Sequence, residues 1–109
     1  MRVITEGYDY EVINKGNANI TQLLHFYQHT IDGVHQLKRD GITNEELLKV
    51  LIHRYEYLNK NVPDAHNVMI ITLLKSCLEH QKTRTEERKQ QGIEGTLKET
   101  IMTNKTNYP

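Results

Sequence analysis

A pair of helix-forming segments with a short break between them constrains the fold of this chain more than any other feature. The first segment covers Asn44–Lys60, and Thr43 followed by Glu46 forms the pattern of an N-terminal capping box. Its apolar residues recur at helical spacing: Leu47, Val50, Leu51 and Leu58. The segment ends before Pro63, because the residue that precedes a proline avoids the helical region.

The second segment begins after Asp64, a suitable N-cap, and extends to about Gln91. Gly92 is suited to a left-handed C-terminal cap. The apolar stripe of this segment consists of Ile70, Leu73, Leu74, Cys77 and Leu78. Because the connection is short, we expect a long antiparallel helical hairpin over residues 43–92.

Composition limits the chain to one small domain and excludes several classes of protein. The 109 residues include 28 Leu, Ile, Val or Phe, enough apolar side chains for a folded chain. The 14 basic and 14 acidic side chains cancel, so there is no overall basic field for a nucleic-acid duplex. No apolar run suits a membrane span, and the N-terminus lacks the pattern of a secretion signal. We expect one domain over residues 1–95 and a flexible polar tail over residues 96–109.

The N-terminal part, residues 1–38, is compatible with more than one structure. Residues 8–13 are typical of a strand, and Asn14–Asn17 is typical of a turn. Residues 20–37 fit a helix by the spacing of their apolar side chains. An antiparallel strand that pairs with residues 10–13 is also reasonable.

The stripe of the second helix changes from apolar to basic toward its C-terminal end. At about 100° per residue, Arg84 and Arg88 lie on the face that carries Ile70 and Cys77. Like charges one turn apart repel weakly, and each planar guanidinium suits phosphate or carboxylate oxygens. The pair therefore suits a diphosphate. The alternative is two surface charges balanced by the two glutamates between them.

Three further polar residues have both a structural and a binding interpretation. Arg54 lies on the stripe of the first helix and suits an ion pair or a ligand site. Tyr57 lies near the hairpin tip and suits packing or stacking on a purine. Asn67 lies in the first turn of the second helix and suits local bonds near the cap or bonds to a base or ribose.

No arrangement of residues predicts catalysis or a cofactor. His25 and His29 have the spacing of two helical zinc ligands, but the glutamate of the metalloprotease pattern is absent, so we expect no metal. There is no phosphate-binding loop and no dinucleotide-binding glycine motif. Cys77 is the single cysteine, and we expect a small buried thiol in a reducing, cytoplasmic setting.

Several motifs resemble those of small phage proteins that act as sponges for immune signalling nucleotides. In chain order they are Gly41–Leu48, Val50–Arg54, Pro63, Asn67, Arg84–Arg88 and Gly92–Thr96. The resemblance covers about half of the chain. It is to the helical-hairpin domain shared by the Thoeris anti-defence sponge and the anti-CBASS cyclic-nucleotide sponge, and the Thoeris branch is the more similar.

This resemblance implies a protein that binds a cyclic nucleotide messenger without turnover. In the Thoeris branch the messenger is a glyco-cyclic ADP-ribose made by a TIR-domain enzyme. The family's pocket uses a stacking ring, an asparagine and two arginines, and these roles fall on Tyr57, Asn67, Arg84 and Arg88. Tyr57 replaces a phenylalanine and keeps the stacking surface. The family also has a small N-terminal antiparallel sheet, which favours a strand over Leu23–Gln28.

Spacing adds a constraint on how such a pocket is built. Asn67 and Arg84 are 17 residues apart on one helix, which is about 26 Å. A small ligand cannot contact both within one chain. We therefore expect a homodimer or a higher homo-oligomer with pockets between chains.

The leading hypothesis is a mainly α, α+β protein that sequesters cyclic ADP-ribose-type or cyclic oligonucleotide messengers in the host bacterial cytoplasm. It is not expected to be an enzyme, to use a cofactor, or to bind a membrane or nucleic acid. The alternative hypothesis is a small helix-turn-helix-type regulator that binds DNA or a protein. The zero net charge and the long second helix weaken that alternative.

Overall fold

The computed structural model describes residues 1–28 and 39–91, in which a small antiparallel sheet precedes a helical hairpin. The elements in chain order are β1 (Arg2–Thr5), β2 (Asp9–Ile13), β3 (Thr21–His25), α1 (Asn44–Asn61) and α2 (Ala65–Gln90). They confirm the predicted α+β fold class. The predicted cap Gly92, the domain end at residue 95 and the tail 96–109 lie outside the described residues. Neither α1 nor α2 contains an apolar stretch that could span a lipid bilayer.

Side-chain caps begin both helices where the sequence predicts them. The Oγ1 atom of Thr43 accepts a hydrogen bond from the backbone N–H of Glu46 at 3.1 Å. The Oδ1 atom of Asp64 accepts one from the backbone N–H of His66 at 2.7 Å. These oxygens satisfy amide groups that have no partner inside the helix. Both helix starts are therefore fixed locally, on either side of the break at Pro63.

The two helices pack along faces made of half-buried aliphatic and aromatic side chains. Ile52 of α1 is 7% exposed and is the one buried apolar residue among those described. Ile52 and Leu78 of α2 line the same groove between the helices. An ion pair at this groove joins Lys75 Nζ to a carboxylate oxygen of Glu56 at 3.6 Å. Other half-buried residues of the two helices are Leu47, Leu48, Leu51, Tyr55, Leu58, Ile70, Ile71 and Leu74.

The predicted apolar stripes are covered only in part. They are half-buried at Leu47, Leu51, Leu58, Ile70, Leu74 and Leu78, and three other members are exposed. Val50 is 59% exposed and Leu73 is 56% exposed. Cys77 is exposed, so the prediction of a buried thiol is wrong. The physical reason lies in the apolar arc of α2, which spans roughly 200° from Ile71 to Met69 at about 100° per residue and is wider than one helix covers. Met69, Leu73 and Cys77, which we call the α2 strip, are therefore exposed in the single chain.

β2 lies at the centre of the sheet, with β1 and β3 antiparallel on either side. Tyr10 of β2 lies opposite Leu24 of β3. The strand interpretation of this segment is confirmed, and the helical one is wrong over Thr21–His25. The physical reason is that the backbone groups of β3 pair with β2. Residues 29–38, where the helical interpretation continued, lie outside the described residues.

The chain that leads from the sheet to α1 runs against the end of β3. The backbone N–H of Ile42 donates to the carbonyl of His25, and the N–H of Tyr27 donates to the carbonyl of Ile42, both at 2.8 Å. A Cβ atom on Gly41 would lie 2.3 Å from the carbonyl oxygen of His25. Glycine is therefore required by this close approach, which fixes the sheet beside the start of α1.

Candidate functional site

A cavity of about 720 Å³ lies between the sheet, the start of α1 and the C-terminal half of α2. Its sheet side is lined by four aromatic residues, which we call the aromatic wall: Tyr8, Tyr10, Phe26 and Tyr27. Its helix side is polar and charged, with Thr43, Asn44, Glu45, Gln81, Arg84, Thr85 and Arg88. The volume lies in the range typical of sites for small molecules.

Arg84 and Arg88 both line the cavity, on the side formed by α2. Arg88 is only 4% exposed, whereas Arg84 is exposed. Burial lowers the pKa of Arg88, and the neighbouring charge of Arg84 lowers it further, although arginine stays protonated in proteins. Two guanidinium groups one turn apart repel each other, and an anion between them would relieve that repulsion.

The interpretation of this pair as balanced surface charges does not fit the burial of Arg88. The ion pairs found within residues 1–28 and 39–91 do not include Arg84. Gln81 lies one turn before Thr85 and donates a hydrogen bond from Nε2 to its Oγ1 at 3.4 Å. The helix side of the cavity therefore offers charge from Arg84 and hydrogen-bonding groups beside it.

The aromatic wall is held together by its own contacts. The rings of Tyr10 and Phe26 meet edge to face, with centroids 5.8 Å apart and an interplanar angle of 86°, an arrangement that aromatic pairs favour. The guanidinium of Arg39 lies over the ring of Tyr8, 5.2 Å from its centroid. One face of Tyr8 is therefore occupied by a cation.

Asp9 anchors the sheet and the chain that follows it through a buried carboxylate. Asp9 is 8% exposed, and its carboxylate accepts hydrogen bonds from His25 Nδ1 at 2.7 Å and from Arg39. A hydrogen bond from the side chain of Thr5, then those from His25 and Arg39, lower the pKa of Asp9 from 3.8 to about 2. An ionised carboxylate only accepts, so the proton of this His25 bond is on Nδ1.

This use of His25 bears on the zinc interpretation. Its Nδ1 atom is engaged by Asp9, and His29 lies outside the described residues. Within the part of the chain that the structure describes, no group of three or more His, Cys, Asp or Glu could hold a metal ion.

The other two predicted site residues lie away from the cavity. Tyr57 is 62% exposed near the end of α1, and Asn67 is half-buried in the first turn of α2. Neither lines the cavity. Asn67 and Arg84 belong to one unbroken helix, so the separation of about 26 Å expected from the sequence is retained. The chain thus brings together the two arginines and leaves the tyrosine and the asparagine at the other end of the hairpin.

Sequence reasoning missed the residues that complete the cavity on the sheet side. Arg54, which it considered for a ligand site, is exposed and does not line the cavity. The alternation of Tyr8, Tyr10 and Val12 on one face of a strand was the available signal. This alternation did not predict the cavity by itself, because it does not indicate which element lies opposite that face of the strand.

Comparison with known proteins identifies one relative. No protein-family description matches the chain, and no solved structure matches it. Over 58 residues, 52% of this chain, it is 40% identical to "Thoeris anti-defense 1" of Bacillus phage SBSphiJ7. The chain spans 41% of the length of that curated relative. This similarity confirms the resemblance to the Thoeris anti-defence branch that the motifs of the helical hairpin indicate.

Proposed function

We propose that this chain is a phage anti-defence protein that binds an anionic cyclic nucleotide messenger and sequesters it without degrading it. The observation that carries the proposal is that Arg84 and Arg88 both line a cavity of about 720 Å³. The similarity to a Thoeris anti-defence protein of a Bacillus phage supports the biological setting. The proposed ligand is glyco-cyclic ADP-ribose, and cyclic oligonucleotides of CBASS signalling are the second ligand class.

The chemistry of the cavity suits sequestration. A cyclic ADP-ribose has a diphosphate, and arginine forks bind phosphate oxygens through paired charge-assisted hydrogen bonds. Burial of Arg88 lowers the effective dielectric constant around its charge and strengthens its attraction to an anion. To compete with a host effector in the bacterial cytoplasm, the affinity should be nanomolar, about −12 kcal/mol. No step in this process requires a nucleophile or a general acid, so the proposed protein is not an enzyme.

The proposal includes a second copy of the chain. The α2 strip is exposed, and at about 100° per residue Leu73, Cys77 and Arg84 lie within roughly 40° of one another around α2. A second hairpin that covers this strip in the antiparallel direction would bring its own Asn67 and Tyr57 toward the arginines of the first. A two-fold dimer of this kind has two equivalent pockets.

Calorimetric titration with glyco-cyclic ADP-ribose tests the proposal. We expect nanomolar binding by the unchanged chain. Arg84→Gln should weaken binding by about tenfold to a hundredfold, the loss typical of one charged hydrogen-bond partner. Lys89→Gln is the matched control, because it removes the same charge from an exposed position of α2 that does not line the cavity.

Three results would contradict this function, two in binding and one in the fate of the ligand. The first is the absence of binding to glyco-cyclic ADP-ribose and to a cyclic oligonucleotide. The second is equal weakening by Arg84→Gln and Lys89→Gln, which would indicate a general charge effect. Recovery of intact ligand after heat denaturation of the complex is expected, and a cleaved ligand would show turnover instead.

A further inference from the structure

Glu45 is the one acidic residue among the described residues that line the cavity, where Arg84 and Arg88 suit an anion. We infer that the Glu45 carboxylate accepts hydrogen bonds from free ribose hydroxyls of the bound messenger and so selects a ligand with a sugar beside its phosphates. This inference rests on the proposed function and deepens it, because it names the chemical group that the cavity recognises next to the phosphates. The roles assigned to the arginines, Tyr57 and Asn67 do not include it.

The packing of the hairpin places Glu45 on the side of α1 that faces α2. Ile52, the buried residue of α1, follows Glu45 by seven positions, so the two lie within about 20° of each other around the helix. Ile52 lines the groove that α1 shares with α2. Glu45 is correspondingly half-buried. It therefore belongs to the covered face of α1 and not to the face in solvent.

The same packing sets Glu45 level with the arginine pair of α2. The ion pair between Glu56 and Lys75, at 3.6 Å, marks one level of the two antiparallel helices. Glu45 lies 11 positions before Glu56, and the same count after Lys75 ends between Arg84 and Arg88. Both helices rise equally per residue, so the carboxylate and the guanidinium groups stand at one level of the hairpin. Their common place in the cavity lining agrees with this register.

The carboxylate of Glu45 is without a protein partner in the described structure. Within residues 1–28 and 39–91, no ion pair or hydrogen bond involves it. The next residue, Glu46, is exposed and pairs with Lys49 at 3.9 Å. Both acidic residues favour the helix start through the helix dipole, which does not explain why one of them lines a cavity. A half-buried carboxylate is most stable when donors occupy its lone pairs, and a ligand that displaces water has to supply them.

The two kinds of charge in the lining define the chemistry of the ligand. Arginine only donates hydrogen bonds, and an ionised carboxylate only accepts them. A phosphate is attracted by Arg84 and repelled by Glu45, whereas a sugar hydroxyl donates to a carboxylate, as ribose does in dinucleotide-binding proteins. In a nucleotide the ribose is joined directly to the phosphates, and the base lies one sugar farther away. An acceptor level with the arginines therefore suits the ribose and not the amino group of the base.

Calorimetry with glyco-cyclic ADP-ribose tests the sign of the Glu45 contribution. If this residue only repelled the phosphates, Glu45→Gln would strengthen binding. We expect Glu45→Gln to weaken binding by about tenfold or more, the loss typical of a charged hydrogen-bond partner. Glu46→Gln is the matched control, because it removes the same charge from the same helical turn at an exposed position that does not line the cavity. It should bind like the unchanged chain.

Analogues of the ligand identify the group that Glu45 contacts. In each analogue one free ribose hydroxyl is replaced by hydrogen, and one further analogue carries purine without the amino group of adenine. One deoxy analogue should bind the unchanged chain about tenfold more weakly than the parent ligand. Glu45→Gln should bind that analogue and the parent equally, because the contact is already lost. Glu45→Asp, which keeps the charge and withdraws the acceptor by one methylene, replaces Glu45→Gln if circular dichroism shows that the latter does not fold.

The outcomes separate this inference from the function on which it rests. Weaker binding by the Glu45 variant, together with coupling to one ribose hydroxyl, supports the inference. Equal or tighter binding, weaker binding without such coupling, or coupling to the amino group instead overturns it. The proposed function stands in these cases if Arg84→Gln weakens binding of the parent ligand. If the unchanged chain binds no cyclic nucleotide, both are overturned.

Discussion

Asp9 is a carboxylate that is almost completely buried in a small sheet, and its partners explain how the fold tolerates it. His25 is 16 positions and Arg39 is 30 positions away in sequence. Both donate to the same carboxylate, and a side-chain hydrogen bond from Thr5 is the largest influence on its pKa. A buried charge is stable only when it is paired and hydrogen-bonded. The cluster thus ties three strands and the chain after residue 38 to one group.

The lowered pKa of Asp9 predicts how stability depends on pH. Its pKa is about 2 in the folded chain against 3.8 ordinarily, so folding favours the ionised form. The stabilising contribution is therefore complete above about pH 4 and is lost as the pH falls toward about 2. Asp9→Asn should lower the urea midpoint near neutral pH and flatten its decline over this acid range.

Urea unfolding followed by circular dichroism, repeated across the acid range, measures this effect. Glu6→Gln is the control, since Glu6 is an exposed acidic residue in the turn between β1 and β2. We expect that control to keep both the midpoint and the acid decline of the unchanged chain. A decline of the same size in Asp9→Asn would show that Asp9 is not its source.

The burial of individual side chains was the property that the sequence predicted least well. The stripe pattern predicted that Cys77 is a buried thiol and that Arg88 lies at the basic, C-terminal end of the stripe of α2. The structure exposes Cys77 and leaves Arg88 4% exposed. A periodic pattern indicates which residues share a helix face, but the packing partner decides which edge of a broad face is covered. The position of that partner is a tertiary property.

The helices and the sheet differ in how far local sequence determines them. The caps at Thr43 and Asp64 act within three residues, so both helix starts were predicted correctly. β3 needed a partner strand, because its apolar spacing also fits a helix and only pairing with β2 distinguishes the two. Local signals therefore predicted the hairpin well and left the sheet ambiguous until the family resemblance was considered.

The junction between sheet and hairpin predicts a large difference between two glycine substitutions. Gly41→Ala would place a Cβ atom 2.3 Å from the carbonyl oxygen of His25, and this backbone atom cannot move aside like a flexible side chain. We expect a loss of about 2–3 kcal/mol in the free energy of unfolding, at the upper end of overpacking costs. Gly16→Ala meets no atom within 4 Å and should change stability little.

Urea unfolding of both variants measures the difference directly. Equal stability of the two would mean that the chain near residue 41 does not approach β3 as closely as described. Because this junction also sets the sheet beside α1, Gly41→Ala should weaken ligand binding as well, whereas Gly16→Ala should not.

At the scale of the whole molecule, residues 1–28 and 39–91 bury few apolar side chains completely. Ile52 is the one buried apolar side chain in the described ranges, while the α2 strip is exposed. Scattered exposed apolar residues are ordinary, but a continuous strip on a long helix indicates a contact surface. The exposed strip and the distance between Asn67 and Arg84 are both consistent with a pocket completed by a second copy of the chain. The sequence pattern of one chain does not specify how two copies would pack.

Mixing two variants that each bind weakly tests whether each pocket draws on two chains. If Arg84 of one copy and Asn67 of the other form one pocket, a dimer of Asn67→Ala with Arg84→Gln contains one intact pocket and one doubly altered pocket. Random exchange of subunits makes about half of the dimers mixed, so about a quarter of the pockets should recover tight binding. Arg84→Gln mixed with Arg88→Gln is the matched control, because these residues belong to the same half and no exchange restores a pocket. Calorimetric stoichiometry with glyco-cyclic ADP-ribose after refolding the mixtures gives the recovered fraction.

Recovery in the first mixture alone supports the composite pocket. Full-strength binding by Asn67→Ala alone would contradict it and place the whole binding site within one chain, at the cavity, because Asn67 does not line that cavity.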